Sequence, residues 1–185
     1  MNLPTTGVRR REPVQITRQT VTEETVRWLS ARRGELREVL DTCGAIHLRE
    51  AGIDSAPALA DAMRAIGLNA SSYVERTSPR RHVSDGVYTA TSYPATYDIH
   101  FHNEMSYSRR SPQVIAFCCA LPPSSGGETP ISDVRAVHEA MPTDIQEAFA
   151  RHGFNYVRNF DGELGVPWQV AFGVGPRSVD EVATV

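Results

Sequence analysis

The stretch that most constrains the fold of this chain is residues 97–107, YDIHFHNEMSY. Its apolar and polar side chains alternate, which is the period-two pattern of a half-buried β-strand. In a strand, residues two positions apart share a face, so His102 and Glu104 would stand side by side with their Cα atoms about 6.5 Å apart. The sequence therefore predicts a strand over 97–104 that presents an imidazole and a carboxylate together.

This pairing of side chains is suited to a metal ion. Non-haem Fe(II) oxygenases hold iron with two histidines and one carboxylate and keep the other positions open. His102 and Glu104 would be two of those three ligands. The alternative is a chance His-x-Glu on an exposed polar face, and the sequence downstream is needed to decide between the two.

Three further features follow in order. A proline leads an apolar run over 115–121, which is typical of a strand buried on both faces. A turn rich in Pro, Ser and Gly covers 122–127 and is followed by Glu128 and Thr129. A helix is then predicted from Ser132 or Asp133, either of which can cap its first turn.

This order resembles the TauD/TfdA-like family of Fe(II)- and 2-oxoglutarate-dependent dioxygenases. That family carries His-x-Asp/Glu, a Pro-led strand, Gly-Gly-Asp/Glu-Thr and an Asp-led helix. Residues 88–94 (YTATSYP) and 168–173 (WQVAFG) are similar to its branch of clavaminate-synthase-like and peptide-synthetase-associated hydroxylases. The resemblance extends from Gly44 to the end of the chain.

The resemblance implies roles for three residues and a chemistry. His102 and Glu104 match the first two iron ligands, and Thr129 matches the threonine that helps hold 2-oxoglutarate. The implied reaction is oxidative decarboxylation of 2-oxoglutarate by O2 to succinate and CO2, coupled to hydroxylation of an unactivated C–H bond. The substrate would be an amino acid or a molecule derived from one, either free or tethered to a carrier protein. A carboxylate at position 104 argues against the halogenating variants.

Two residues of the family pattern are not matched. They are a distal histidine and the arginine that pairs with the far carboxylate of 2-oxoglutarate. His138 and His152 both lie in helical patterns, so neither matches the distal position. The sequence thus predicts a truncated or split form of an oxygenase, inactive in isolation, with a complementary C-terminal chain or a homo-oligomer as its partner.

Two other interpretations stay open. A small cupin-like metalloprotein would use His100, His102 and Glu104, but His100 and Glu104 lie about 13 Å apart along an unbroken strand, which disfavours it. A non-catalytic pseudoenzyme would use an exposed sheet edge to bind a ligand or a partner.

Composition excludes several classes of function. The net charge of −3 provides no basic field for nucleic acid, and all 19 basic residues are arginine, so a Schiff-base lysine is impossible. No apolar run approaches the roughly 20 residues that span a bilayer. The chain has three cysteines, Cys43, Cys118 and Cys119, and the last two would point to opposite faces of a strand. A disulfide framework is therefore not expected, which indicates a cytoplasmic protein.

The rest of the chain is predicted as one domain over 1–185, with an extended lead-in over 1–20. Further strands are predicted at 45–48, 87–91, 154–160 and 168–172, and helices at 22–44, 55–67, 133–141 and 142–153. The helix over 22–44 is expected to be capped by Thr22 and to be interrupted at Gly34. The fold class is therefore α+β, a partial double-stranded β-helix, or jelly roll, with flanking helices.

The loop over 73–85 carries Arg80 and Arg81, each of which could face a carboxylate of the substrate or belong to a solvated basic loop. His47 is interpreted as a core or edge histidine rather than a ligand.

Overall fold

The elements of the computed structural model are described for residues 13–70, 80–91, 96–159 and 167–172. Parts of the predicted lead-in, of the loop over 73–85 and of the segment over 154–160 lie outside these ranges. The helices and strands in chain order are β1 (Val14–Thr17), α1 (Thr22–Ala31), α2 (Arg33–Cys43), β2 (Ile46–Arg49), α3 (Ala56–Ala65), β3 (His82–Ser84), β4 (Val87–Tyr88), α4 (Val134–Ala140), α5 (Thr143–His152) and α6 (Trp168–Phe172).

The first sheet pairs β1 with β2 in parallel, with Val14 opposite Ile46. Buried and exposed residues alternate along β1, so Val14 and Ile16 face the core while Gln15 and Thr17 face away. Parallel strands need a long crossover connection. Helices α1 and α2 provide it, and they cover the buried face of the sheet.

The predicted long helix is two helices that meet at Arg32, whose φ of −115° and ψ of 20° are not helical. The break therefore lies near Gly34 but not at it. The prediction that Thr22 caps this helix was wrong. The N-cap residue is Val21, whose side chain makes no capping hydrogen bond. The hydroxyl of Thr22 instead donates to the carbonyl of Gly52 at 2.6 Å.

The loop after β2 is held to α1 by a buried hydrogen bond. The hydroxyl of Thr25, which is fully buried, donates to the carbonyl of Ala51 at 2.7 Å. At the end of α2, Gly44 adopts the left-handed conformation with φ of 83°, which glycine reaches without strain. Its N–H donates to the carbonyl of Leu40 at 2.9 Å.

Helix α3 begins as predicted. The side chain of Ser55 accepts a hydrogen bond from the N–H of Ala58, and Pro57 lies in the first turn. The core that α3 completes comes from the first 70 residues, and its buried members are Val14, Ile16, Leu29, Leu36, Val39, Cys43, Ala62 and Ile66.

The second half of the described chain differs from the prediction in its strands. The predicted strands over 97–104 and 115–121 and the described part of 154–160 have no regular secondary structure, and 168–172 is helix α6. Strand hydrogen bonds need a neighbouring strand, and none of the described segments pairs with these residues. Helices α4 and α5 form where predicted because helix hydrogen bonds are local.

Apolar side chains of this half are consequently exposed. Phe101 is 68% exposed and Leu121 is 88% exposed. The chain mixes helices and strands as predicted, but its described sheets are two small two-stranded ones, so the jelly roll and the single domain remain predictions. No helix within the described ranges is long and apolar enough to cross a membrane.

Leu36 is buried and Leu121 is exposed, so replacing each by alanine should lower the free energy of unfolding by different amounts. Leu36 is 1% exposed, so Leu36→Ala should lower the free energy of unfolding by about 3 kcal/mol through lost burial and the cavity left behind. Leu121→Ala should change it by less than about 0.5 kcal/mol. Urea unfolding followed by circular dichroism measures both. Equal losses would mean that the segment around Leu121 is packed.

Candidate metal site

The geometry of His102 suits coordination through one defined nitrogen. The residue lies in an irregular segment, and its Nδ1 is 2.7 Å from the backbone carbonyl oxygen of His100. A carbonyl oxygen only accepts hydrogen bonds, so Nδ1 carries a proton, and in the neutral imidazole Nε2 then keeps the lone pair. Metal-binding histidines are commonly held in this way by a hydrogen bond from the second ring nitrogen. His102 is exposed.

Glu104 is positioned by the turn that begins with it. The next residue, Met105, is buried and has a φ of 53°, and its carbonyl accepts a hydrogen bond from the N–H of Ser108 at 2.9 Å. A positive φ is uncommon for a residue other than glycine. Glu104 therefore directly precedes a buried residue at the start of a tight turn.

The carboxylate of Glu104 contacts Arg80, a residue for which the sequence predicted another role. Nη2 of Arg80 lies 3.4 Å from Oε1 and 3.3 Å from Oε2 of Glu104. The prediction placed Arg80 or Arg81 toward a substrate carboxylate or in a solvated loop. In the structure Arg80 is half-buried against Glu104, whereas Arg81 is exposed. No spacing in the sequence indicates this pair, because its members are 24 residues apart.

The described part of the chain does not complete a three-ligand site. It contains no group of three His, Cys, Asp or Glu side chains that could hold one ion. The described residues therefore give no support to the cupin-like interpretation with His100, His102 and Glu104. The side chain of His100 is exposed, and its carbonyl serves to orient His102.

Three other histidines lie in the elements that the sequence predicted, whereas His82, in the predicted loop over 73–85, lies on β3. His138 and His152 are exposed on α4 and α5. His47 lies exposed on β2, with its Nδ1 3.3 Å from Nε2 of Gln15.

Thr129 follows the predicted turn and is exposed. Gly127 has a φ of 76°, and a Cβ atom there would lie 2.7 Å from Cγ of Pro123. Glycine is therefore required at this position both by conformation and by space. The structure describes Thr129 and its turn but not a ligand for its hydroxyl, so its role in holding a cosubstrate stays a prediction.

The helix after Thr129 is anchored to the first half of the chain. Asp133, rather than Ser132, caps α4 by accepting from the N–H of Arg135 at 3.0 Å. Nε of Arg135 also donates to Asp133, and Nη1 donates to the carbonyl of Thr42 at the end of α2. Its hydrogen bond to Asp133 raises the pKa of Arg135. The guanidinium of Arg135 lies at the C-terminal end of α2, where the helix dipole favours a cation.

Cys118 makes a second connection of this kind. Its Sγ lies 3.2 Å from the carbonyl oxygen of Ile53, which follows β2. Burial raises the pKa of the Cys118 thiol, and the charges of Asp54 and Cys119 raise it further. Cys119 is exposed, and all three cysteines are free thiols.

The segment after α5 reaches the metal motif by side-chain contacts that the sequence did not predict. The hydroxyl of Tyr156 donates to Oγ of Ser106 at 3.2 Å. The guanidinium of Arg158 lies over the ring of Tyr107, 4.5 Å from its centre, which is a cation–π distance. Residues 156–158 therefore flank the metal motif although they form no strand.

The sequence profile described as "Taurine catabolism dioxygenase TauD, TfdA family" matches residues 11–182. Because the match extends over most of the sequence, the chain belongs to the TauD/TfdA family, as the motifs predicted. The motif with His102 and Glu104, the turn before Thr129 and the helix capped by Asp133 all lie within the matched range.

Two relatives support the predicted branch. The chain is 33% identical over 135 residues to the dapdiamide synthesis protein DdaC of Enterobacter agglomerans, which covers 73% of this chain and 41% of that protein. It is 34% identical over 133 residues to a clavaminate synthase-like protein of Arabidopsis thaliana, which covers 70% of this chain and 40% of the relative. The matched region is thus well under half the length of each relative.

The raised pKa of Cys118 predicts slow alkylation. At pH 8, Cys119→Ser, which retains Cys118, should react with iodoacetamide more slowly than Cys118→Ser, because less thiolate is present. A pKa raised by folding also means that this thiol's contribution to stability is present below its unfolded pKa. That contribution is lost as pH rises through the folded value. Alkylation rates from pH 7 to 10, followed by mass spectrometry, test the order, and equal rates would contradict it.

Proposed function

We propose that this chain provides the His-x-Glu part of a non-haem Fe(II)- and 2-oxoglutarate-dependent oxygenase. The observation that carries the proposal is the state of His102, whose Nδ1–H is held by a carbonyl so that Nε2 can bind a metal. Glu104, two residues away, is largely buried and offers a carboxylate. The family match and the dioxygenase-related relatives support the same reaction class.

The donor set fits a ferrous ion, because imidazole and carboxylate are the ligands of the facial triad. In the proposed site, His102 binds iron through Nε2, Glu104 binds it through its carboxylate, and Thr129 helps hold 2-oxoglutarate by its hydroxyl. When bound, the iron supplies O2 activation coupled to decarboxylation of 2-oxoglutarate to succinate and CO2. The substrate we propose is an amino acid or a derivative, with a carrier-tethered form included, and the location is the cytoplasm.

A further polypeptide segment is proposed to complete the site. The described residues supply two ligands and no three-ligand group. The apolar side chains beside the motif and its neighbours are largely exposed, as shown by Ile99, Phe101, Phe117, Leu121 and Phe154. Large exposed apolar surface is typical of a region that another segment covers. We propose a complementary C-terminal chain, or a second copy of this one, as the source of the third ligand and of the cosubstrate's arginine.

A second candidate function is a non-catalytic binding module. It is favoured by the same exposed apolar side chains and by the absence, among the described residues, of a group of three metal ligands. Metal binding separates the two candidates, because a binding module has no need of an ion at His102 and Glu104.

A metal titration with matched histidine variants tests the site. His102→Ala should weaken Co(II) binding at least tenfold, since the ligand nitrogen is lost. His100→Ala should stay within about threefold of wild type, since its backbone carbonyl still orients His102. Isothermal calorimetry measures both. Loss of binding in His100→Ala alone would reject the ligand assignment.

Activity should depend on the proposed complementary segment. The 185-residue chain alone should release little succinate from 2-oxoglutarate in air, because a buried dicarboxylate without a bidentate cation loses its strongest orienting contact. Fusion after Val185 of the part of DdaC that this chain does not match should raise O2-dependent succinate release. The same fusion with Glu104→Ala is the matched control. Robust O2-dependent release by the unfused chain would contradict the proposal.

A further inference from the structure

The two members of the Arg80–Glu104 pair are placed by independent pieces of structure. Arg80 lies two residues before β3, and the neighbouring Arg81 closes the β3–β4 hairpin onto Thr89. In that closure, the N–H of Arg81 donates to Oγ1 of Thr89 at 3.1 Å, and the N–H of Thr89 donates to the carbonyl of Arg81 at 2.9 Å. Glu104 lies at the start of the turn at Met105. The pair therefore forms because tertiary packing brings a hairpin end to a turn.

The environment of the pair makes its charges effective. The side chain of Arg80 is 22% exposed and that of Glu104 is 18% exposed. Charges shielded from water interact more strongly than those on an open surface, where salt and solvent screen them. A cation at this position therefore changes the energy of any second cation that approaches the same carboxylate.

The geometry of the pair is an open one. A single nitrogen, Nη2, is almost equally far from both oxygens, at 3.4 and 3.3 Å. Close charge-assisted hydrogen bonds are shorter, about 2.7–2.9 Å, and a fork of two nitrogens would be stronger. The guanidinium thus stands opposite the carboxylate, where an incoming ion would also bind, and its contacts with both oxygens are longer than close charge-assisted hydrogen bonds.

We infer that Arg80 is the resident cation of Glu104 in the metal-free protein and that a metal ion must displace it from at least one carboxylate oxygen. This inference rests on the proposed function, because it takes Glu104 as a metal ligand. Arg80 is then a positioning residue that opposes metal binding through its charge. The metal affinity of the site is set partly by a residue that is not a ligand.

The experiment compares three arginine variants. Arg80→Gln keeps a side-chain N–H₂ that can donate to Glu104 but removes the charge, and Arg80→Lys keeps the charge without the planar group. Arg81→Gln is the matched control, because it removes the same charge from an exposed neighbour. Co(II) affinity is measured by calorimetry, and the melting temperature is measured with and without the ion.

The expected result is that Arg80→Gln binds Co(II) roughly tenfold more tightly, which corresponds to about 1.4 kcal/mol. Arg80→Lys and Arg81→Gln should remain within about threefold of wild type. The metal-free form of Arg80→Gln should melt at a lower temperature, because a largely buried carboxylate has lost the positive charge of Arg80. The gain in melting temperature on adding Co(II) should be larger than in wild type.

Several outcomes would overturn the inference. Unchanged or weaker binding by Arg80→Gln, with wild type still binding through His102, would show that Arg80 orients Glu104 or is irrelevant, and would leave the proposed function intact. Failure of wild type and of every variant to bind would reject the metal site itself and the inference with it. Should Arg80→Gln not fold, the wild-type protein still decides: its Arg80 side-chain Nε–H resonance should shift when diamagnetic Zn(II) is added, and no shift would reject displacement.

Discussion

The hydrophobic core between the parallel pair β1–β2 and helices α1–α3 is the constraint on which the rest of this structure depends. Its buried members all come from the first 70 residues. Parallel pairing brings Val14 beside Ile46 only because the intervening helices fold back over the sheet. The described residues after 70 contribute no side chain to the buried members of this core.

Attachment is made by a few polar contacts. Arg135 reaches the carbonyl of Thr42 at the end of α2, and Gly44 leaves room for it, since a Cβ atom there would lie 3.1 Å from Nη2 of Arg135. Cys118 bonds to the carbonyl of Ile53. These contacts use backbone carbonyls at the end of α2 and in the loop after β2, and buried carbonyls of this kind need hydrogen-bond partners. They attach α4 and the segment around Cys118 to the first half.

The candidate site combines a local and a non-local arrangement. His102 is oriented by a carbonyl two residues away, which is a contact that the motif carries with it. Glu104 instead faces a guanidinium that arrives from the β3–β4 hairpin. The histidine is thus prepared for a metal by its own segment, whereas the carboxylate is already engaged by charge. Because the charge of Glu104 already interacts with Arg80, we propose that a metal ion competes with Arg80 for this carboxylate.

The sequence by itself determined the family, the helices α3, α4 and α5, and the order of the motifs. Helix caps such as Ser55 and Asp133, and the apolar stripe with Leu36, act through contacts a few residues apart and can be read from spacing. Only the tertiary structure decided the break at Arg32, the position of Arg80 and the absence of strand pairing over 97–104 and 115–121 within the described residues. Strand pairing and ion pairs depend on which distant segments meet. Alternation of side chains encodes a face but not the partner that would cover it.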